Sequence, residues 1–359
     1  MKISGIICEY NPLHNGHLYH LEQVRRGGAE GIVAVMSGNF VQRGDAALLD
    51  KFTRARLAIE GGVDLVLELP VPYALAPAEN FAMGGVALLT ALGNVQEISF
   101  GSECGDIHLL SQAAQACQVC KTDYADVMDD FLRSGYSYPE VLSQMVGQLY
   151  GEETAAVLRS PNNTLAIAYL NAIEEMDSPR RGAGHNSSQP APDGTASATY
   201  IRQFFAEGGD CRRMMPSYAW HALREAKQNG HIASMEYLER LILYKLRTTD
   251  ADDLHDIAEI GQGLEHRLYK AKRSASLEEL LQAIRMGSAF RHRLLGLQKE
   301  NNKLRAKLEE LRYVSRAKFL LITEQGMSEE AAHRYIEKSA MDTRRTRKEV
   351  SLEIIAKYE

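Results

Sequence analysis

The run Ile7-Cys8-Glu9-Tyr10-Asn11-Pro12-Leu13-His14-Asn15-Gly16-His17-Leu18-Tyr19-His20 stands between an apolar stretch and the first helical pattern of the chain. His14 and His17 are three residues apart at the expected start of a helix, so both rings can point to one side. Gly16 between them removes a side chain and lets a polyphosphate approach the backbone. Free N–H groups and the helix dipole favour an anion there. Two imidazoles can then donate hydrogen bonds to an α-phosphate as attack builds charge on it, with no covalent enzyme intermediate. An H-x-x-H pair also suits zinc, or no ligand at all. Zinc hydrolysis would want the acidic neighbour of H-E-x-x-H, which is absent, so no protein-held metal is expected. Pro12 and Gly16 around the pair, directly behind a strand, favour nucleotidyl transfer.

Outward from this run, Lys2–Cys8 reads as a strand and Leu18–Arg26 as a helix. Strands are expected again at Gly31–Met36, Val63–Leu69 and Val95–Phe100, and helices at Lys51–Glu60 and Phe81–Leu92. The strands are near-continuous apolar runs, as in a sheet covered on both faces. The alternation predicts right-handed βαβ units, a parallel sheet and an α/β fold, with ligand beyond the C-terminal strand ends. From about Ile107 to Met176 the pattern is helical. Residues 178–198, rich in Pro, Gly, Ser and Asn, read as a long loop, either mobile or functional. Helical pattern resumes at Thr199 and runs to about Met286.

Leu294, Asn301 and Leu308 share one heptad position, and Leu297, Leu304 and Leu311 another. Leucine at each d with a central asparagine at a fits a short coiled coil forming a parallel homodimer in one register. The stretch is under three heptads, so an amphipathic helix packed on its own domain is the alternative.

A chain of 359 residues suits two or three folded units, and 45% hydrophobic residues supply a core. The net charge of -6 excludes a wholly basic nucleic-acid-coating protein but not a local basic patch. With no eighteen-residue apolar run and no signal-like opening, a cytoplasmic protein without membrane contact is expected. The five cysteines form no paired framework; Cys117 and Cys120, a lone C-x-x-C, read as ordinary thiols rather than a zinc or redox centre.

Gly5–His20 (GIICEYNPLHNGHLYH) resembles the opening of the tRNA(Met) cytidine acetate ligases, within the HxGH nucleotidyltransferase superfamily. So do Met36–Gly44 (MSGNFVQRG), Asp64–Pro70 (DLVLELP), Phe100–Glu103 (FGSE), Ser160–Leu165 (SPNNTL), Arg180–Gly184 (RRGAG) and Ser197–Arg202 (SATYIR). The resemblance spans roughly residues 1–286. It implies a Rossmann-like nucleotidyltransferase domain over 1–206 and a helical region over 207–286, followed by the coiled-coil helix at 287–313. It also implies condensation of acetate with ATP to acetyl-adenylate and pyrophosphate. The acetyl group then passes to N4 of the wobble cytidine of elongator tRNA(Met), without acetyl-CoA. Mg2+ is expected to accompany ATP. His14 and His17 are the expected catalytic pair, with ATP on residues 7–20 and further contacts at Gly101, Asn162, Arg180 and Arg181. Asn162 can read an adenine edge or cap the helix it begins. The adjacent arginines suit a triphosphate or a solvated loop. Thr199, Gln42, Arg43 and Lys51 are weaker candidates.

Beyond Met286, Val314–Leu321, Gly326–Ala331 and Ala340–Arg345 resemble the ANTAR module, a three-helix RNA-binding domain, here at 314–359. Arg344, Arg345, Arg347 and Lys348 crowd one short stretch and can meet RNA phosphates, possession of a second RNA partner being the implication; a solvated basic helix end is the plainer reading. Two other functions compete with the ligase. One is an RNA-binding antitermination-type regulator with a nucleotide-sensing domain; the other is a small-molecule nucleotidyltransferase. The paired histidines and the S-A-T-x-I-R element favour catalysis over sensing. The E-Y-N-P and Q-R-G segments speak against a small-molecule transferase.

Overall fold

The computed structural model describes residues 1–42, 44–133, 136–176, 181–186, 196–257, 260, 264–284, 297–343 and 345–358. They fall into two compact units, Met1–Ala114 with Arg159–Ile284, and Gln115–Leu158 with Arg285–Glu359.

In the first unit, β1 (Ile3–Cys8), β2 (Gly31–Ser37), β3 (Leu65–Leu69), β4 (Glu97–Ser102) and β5 (Arg181–Asn186) form a parallel sheet ordered β3-β2-β1-β4-β5. Helices α1 (Asn15–Arg26), α2 (Lys51–Glu60), α3 (Val71–Ala74) and α4 (Ala78–Ala91) connect the first four strands. The expected β1, β2, β3 and β4 are all present, because buried Ile6, Ile32, Val35 and Ile98 need cover on both faces. α4 lies close on β1 where glycines leave room. A Cβ on Gly85 would stand 2.6 Å from Ile7 Cδ1, and one on Gly5 2.7 Å from Leu89 Cδ1. From β1 the winding runs outward through β2 to β3, while β4 sits on the other side of β1. The crevice between β1 and β4 is therefore the switch point at which such sheets hold ligands.

The segment 178–198 is not simply the loop that its composition suggests, since it contains β5. Glu97 of β4 stands opposite Arg181 and Ser102 opposite Asn186. Arg-Gly-Ala-Gly-His-Asn has none of the β-branched or aromatic residues that mark strands. Backbone pairing and close packing replace them: a Cβ on Gly182 would lie 2.6 Å from Leu170 Cδ2.

The division between units falls inside α5 (Ile107–Thr122). The second unit contains α6 (Ala125–Arg133), α7 (Tyr138–Tyr150) and α8 (Glu152–Val157). The chain returns to the first unit through α9 (Pro161–Glu175), α10 (Ala198–Ala206), α11 (Ser217–Gln228), α12 (Met235–Thr248), α13 (Ala251–His255) and α14 (Leu264–Ala271). α10 and α11 join α1 and α2 in one cluster through Leu21, Leu57, Ile201, Phe205 and Leu223. The second unit is completed by α15 (Leu297–Gln325), α16 (Glu329–Thr343) and α17 (Arg347–Tyr358), whose core holds Val314, Ala317, Leu321, Ile336, Val350 and Ile354. α15 also packs on α6 and α7. There the Tyr124 hydroxyl meets Ser315 Oγ at 2.5 Å, and the buried Lys318 ammonium lies 2.9 Å from Glu329 and 3.5 Å from Asp123.

Of the heptad leucines, Leu294 lies outside the described residues, as do the side chains of Leu297, Asn301, Leu304 and Leu308; Leu311 is buried. Cys117 and Cys120 are buried, and burial lifts the Cys120 thiol to about 12, which makes it inert. Among the described residues no helix is long and apolar enough to cross a membrane.

Candidate active site

The C-terminal ends of β1 and β4 open into a cavity of about 610 Å³, within the range of small-molecule sites. His14 is the N-cap of α1 and its Nδ1 accepts the Gly16 N–H at 3.1 Å; His17 Nδ1 accepts the His14 N–H at 3.3 Å. The rings stack with centroids 3.6 Å apart. A Cβ on Gly16 would come within 3.0 Å of the His14 ring, so this glycine makes room for the cap as well as for ligand. Because both Nδ1 atoms accept backbone protons, each neutral ring carries its own proton on Nε2. Burial holds the His14 imidazole down to about 4. It holds His17 well below the usual histidine range, helped by His14 and His20. The pair thus offers two neutral N–H donors at a helix N-terminus.

Protonating His14 would place a proton on the capping Nδ1, against the Gly16 N–H. A histidine whose folded value lies below its unfolded one supports the fold above about 6.5, and that support is lost as pH falls towards 4. The urea midpoint of the wild type is therefore expected to fall more steeply between pH 6.5 and 4.5 than that of His14→Asn, which keeps a cap but does not titrate. Parallel slopes in the two proteins would contradict this.

Around the pair, the β1–α1 turn is held from behind. Tyr10 has φ of 45°, a left-handed backbone that a bulky residue seldom adopts. The buried Arg54 guanidinium donates to the carbonyls of Glu9, Ser37, Gly38 and Leu49. Glu9 in turn accepts the Gln42 N–H at 2.7 Å. His20 Nε2 is 2.9 Å from Ser99 Oγ on β4. Arg202 donates to the Asn11 carbonyl at 2.8 Å and to Thr199 Oγ1 at 3.2 Å, which ties the S-A-T-x-I-R segment to the turn. Burial lifts the Cys8 thiol to about 12, against the pull of Arg54, so it is no nucleophile.

Asn162 is not the cap of α9. The Glu103 carboxylate receives the N–H groups of Asn162 at 3.1 Å and Asn163 at 2.8 Å, and Asn163 Oδ1 receives those of Glu103 and Cys104. This reciprocal lock leaves the Asn162 side chain on the cavity wall. Of the expected ATP residues, Ile7, Cys8, Glu9, Tyr10, Asn11, His14, Gly16, His17, Tyr19, His20, Gly101 and Asn162 line the cavity. Pro12, Leu13, Asn15 and Leu18 do not. Leu13 is fully buried, Leu18 packs against the core, and Asn15 bonds the Arg213 carbonyl. Arg180 lies outside the described residues, and Arg181 is in β5 with its side chain undescribed. Gln42 and Thr199 reach the cavity, Lys51 pairs with Glu68 at 2.6 Å, and Arg43 lies outside the described residues. Arg202, Gln23, Asp45 and Tyr169 also line it and were not singled out from sequence. Arg202 carried the one available signal, as the last residue of S-A-T-x-I-R. At the C-terminus, Arg345 pairs with Glu353, and Arg347 with Glu310 and Glu337; Lys348 lies over the Tyr313 ring, and Arg344 is outside the described residues.

A family model described as HIGH Nucleotidyl Transferase matches residues 1–319, and an ANTAR domain model matches residues 302–355. The first match runs past Met286, where the resemblance read from sequence stops. The tRNA(Met) cytidine acetate ligase of Syntrophotalea carbinolica is 38% identical over 304 residues, covering 82% of this chain and 72% of its own. That of Caldanaerobacter subterraneus subsp. tengcongensis is 39% identical over 283 residues, covering 76% and 70%. The crystal structure of Thermotoga maritima TmcAL bound with alpha-thio ATP superposes with a TM-score of 0.73 at 33% identity, covering 79% of this chain and 70% of that one.

Proposed function

Since the chain belongs to the tRNA(Met) cytidine acetate ligases, a branch of the HIGH nucleotidyl transferases, we propose that it activates acetate with ATP and acetylates N4 of the wobble cytidine of elongator tRNA(Met). The observation that carries the chemistry is that His14 and His17 both line the cavity and both accept a backbone N–H at Nδ1, which leaves the proton of each neutral ring on Nε2. An acetate oxygen attacks the α-phosphorus of ATP, and the bond to the bridging oxygen breaks. Pyrophosphate leaves, and acetyl-adenylate remains. His14 and His17 donate hydrogen bonds to the α-phosphoryl oxygens as charge builds there, which neutral N–H groups do without first being protonated. The cytidine N4 then attacks the acetyl carbonyl, AMP departs with the bonding pair, and the amine loses a proton. Asn162, also on the cavity wall, is the proposed reader of the adenine edge, and Arg180 and Arg181 the partners of the triphosphate. Mg2+ is proposed to arrive on the ATP phosphates.

The C-terminal helices are an ANTAR domain. RNA contact through Arg344, Arg345, Arg347 and Lys348 is proposed as its role, with phosphates displacing the carboxylates that now hold Arg345 and Arg347. Dimerisation through the heptad segment and a cytoplasmic location, where tRNA is modified, complete the reading.

Nucleoside mass spectrometry tests the activity on unmodified elongator tRNA(Met) incubated with ATP and acetate. N4-acetylcytidine is expected, dependent on ATP and without acetyl-CoA. Its absence from reactions with folded, ATP-binding protein would move the function to RNA-binding regulation.

A further inference from the structure

α12 is apolar on two opposite sides. Leu243 and Leu246 face inward with Leu254 and Leu280, and Glu239 on the same side accepts the Leu277 N–H at 3.0 Å. Tyr237, Leu241, Tyr244 and Thr248 recur at i, i+4, i+7 and i+11 and fall on the opposite side. Tyr237 is 74% exposed, Leu241 64% and Tyr244 68%, so the stripe is in water rather than in a core. A second apolar stripe on a surface helix marks a contact site.

Cations frame it. Arg240 and Lys245 flank the stripe. Arg247 donates to the Lys272 and Ser274 carbonyls at 3.3 and 2.7 Å, which draws Lys272 and Arg273 to its C-terminal end. Arg240, Lys245 and Arg273 form no ion pair among the described residues. Of the acids near it in sequence, Glu239 is turned to the inner side, where it holds the Leu277 N–H, and Glu236 opens the helix, while Asp250, Asp252 and Asp253 lie beyond its end. The ANTAR arginines differ, with Arg345 and Arg347 both neutralised by glutamates.

The stripe is also tied to the active site. Asn11, on the cavity wall, accepts the Leu48 N–H at 2.7 Å through Oδ1, and the Leu48 carbonyl accepts the Ala233 N–H at 3.2 Å. Ser234, the next residue, caps α12. Two hydrogen bonds therefore separate the nucleotide cavity from the root of the helix.

We infer that this face of α12 binds the single-stranded loop of the RNA substrate. Tyr237 and Tyr244, about 10 Å apart along the helix axis, stack unpaired bases, while Arg240, Lys245 and Arg273 hold phosphates. Aromatic rings among uncompensated cations are the combination that single-stranded RNA requires. The assignment rests on the reading of the chain as a ligase acting on tRNA, and it names the surface that brings the cytidine to the adenylate.

The test uses the full chain with Tyr237→Ala/Tyr244→Ala and, separately, Tyr237→Phe/Tyr244→Phe. Loss of two stacking rings is expected to raise the KM for tRNA(Met) by about tenfold or more. Acetate-dependent ATP–pyrophosphate exchange is expected to stay unchanged, and the phenylalanine variant to stay within about twofold of wild type because its rings still stack. An unchanged KM in the alanine variant overturns the inference, as does an equal loss in both variants. So does a change of oligomeric state by light scattering in the alanine variant, which would give the face to a second copy. Should the wild type exchange pyrophosphate yet make no N4-acetylcytidine, the ligase reading fails by itself. Fluorescence anisotropy with labelled tRNA(Met) then decides the surface on the same variants, and equal affinities reject it.

Discussion

Arg54→Met is expected to lower the unfolding free energy by about 4 kcal/mol, since an unsatisfied buried acceptor costs roughly 1–3 kcal/mol and several are left at once. Arg54 is 1% exposed, and its guanidinium serves the carbonyls of Glu9, Ser37, Gly38 and Leu49. Methionine fills the volume of the stem and offers no donor. Lysine keeps the charge, but its compact ammonium cannot reproduce the planar fork that serves carbonyls on separate segments. Two of those carbonyls close β2 and one opens the turn carrying Tyr10 at φ of 45°, so the KM for ATP is expected to rise as well. Urea denaturation reads the first effect. A loss below about 1 kcal/mol would mean that the carbonyls find water or other donors, and that the guanidinium is not what holds the turn.

His17→Ala is expected to reduce acetate-dependent ATP–pyrophosphate exchange by about 100- to 1,000-fold, the usual consequence of removing one donor to a transition-state oxyanion. The affinity for tRNA(Met) is expected to hold, because no RNA contact is assigned to this residue. His17 also accepts the His14 N–H and stacks on His14, so His14→Ala and the double variant are expected to fall to a similar level rather than multiply. Exchange within threefold of wild type would remove the histidines from the chemistry. An equal loss of tRNA binding would make their role structural.

How legible these features are in sequence depends on the range of the forces behind them. Ile3–Cys8, Gly31–Ser37 and Lys51–Glu60 are set by local pattern, and the apolar runs and the Asp50 cap place them within a residue or two. The histidine pair is legible because its chemistry and its helix start are adjacent in the chain. Arg54 is not. Between Lys51 and Arg56 on a short helix it resembles any solvated cation, and its partners come from three separate segments. Asn162 alone could be a cap or a ligand, and the cap is excluded only by Ser160 at the N-cap and by Glu103, some sixty positions earlier, whose carboxylate takes the backbone N–H groups of Asn162 and Asn163. β5 is hidden because Gly182 is required by the close side chains of Leu170 and Phe100 rather than by strand propensity. The discontinuous second unit was hidden for the same reason, since Tyr124 and Ser315 are 191 positions apart.

That separation matters during synthesis. α6–α8 emerge from the ribosome long before α15, against which α6 and α7 pack. At about 5–20 residues per second, the 191 residues between Tyr124 and Ser315 take roughly 10–40 s to translate. For that interval the sides of α6 and α7 that meet α15 lack their native cover, although the helices pack on each other and α7 on α8, and a nascent chain stalled or cut before α15 keeps those sides open. The C-terminal helices are thus the closing piece of a structure begun early in translation, and a ribosome that fails to reach them releases a product open to chaperones and proteases in its middle rather than at its end.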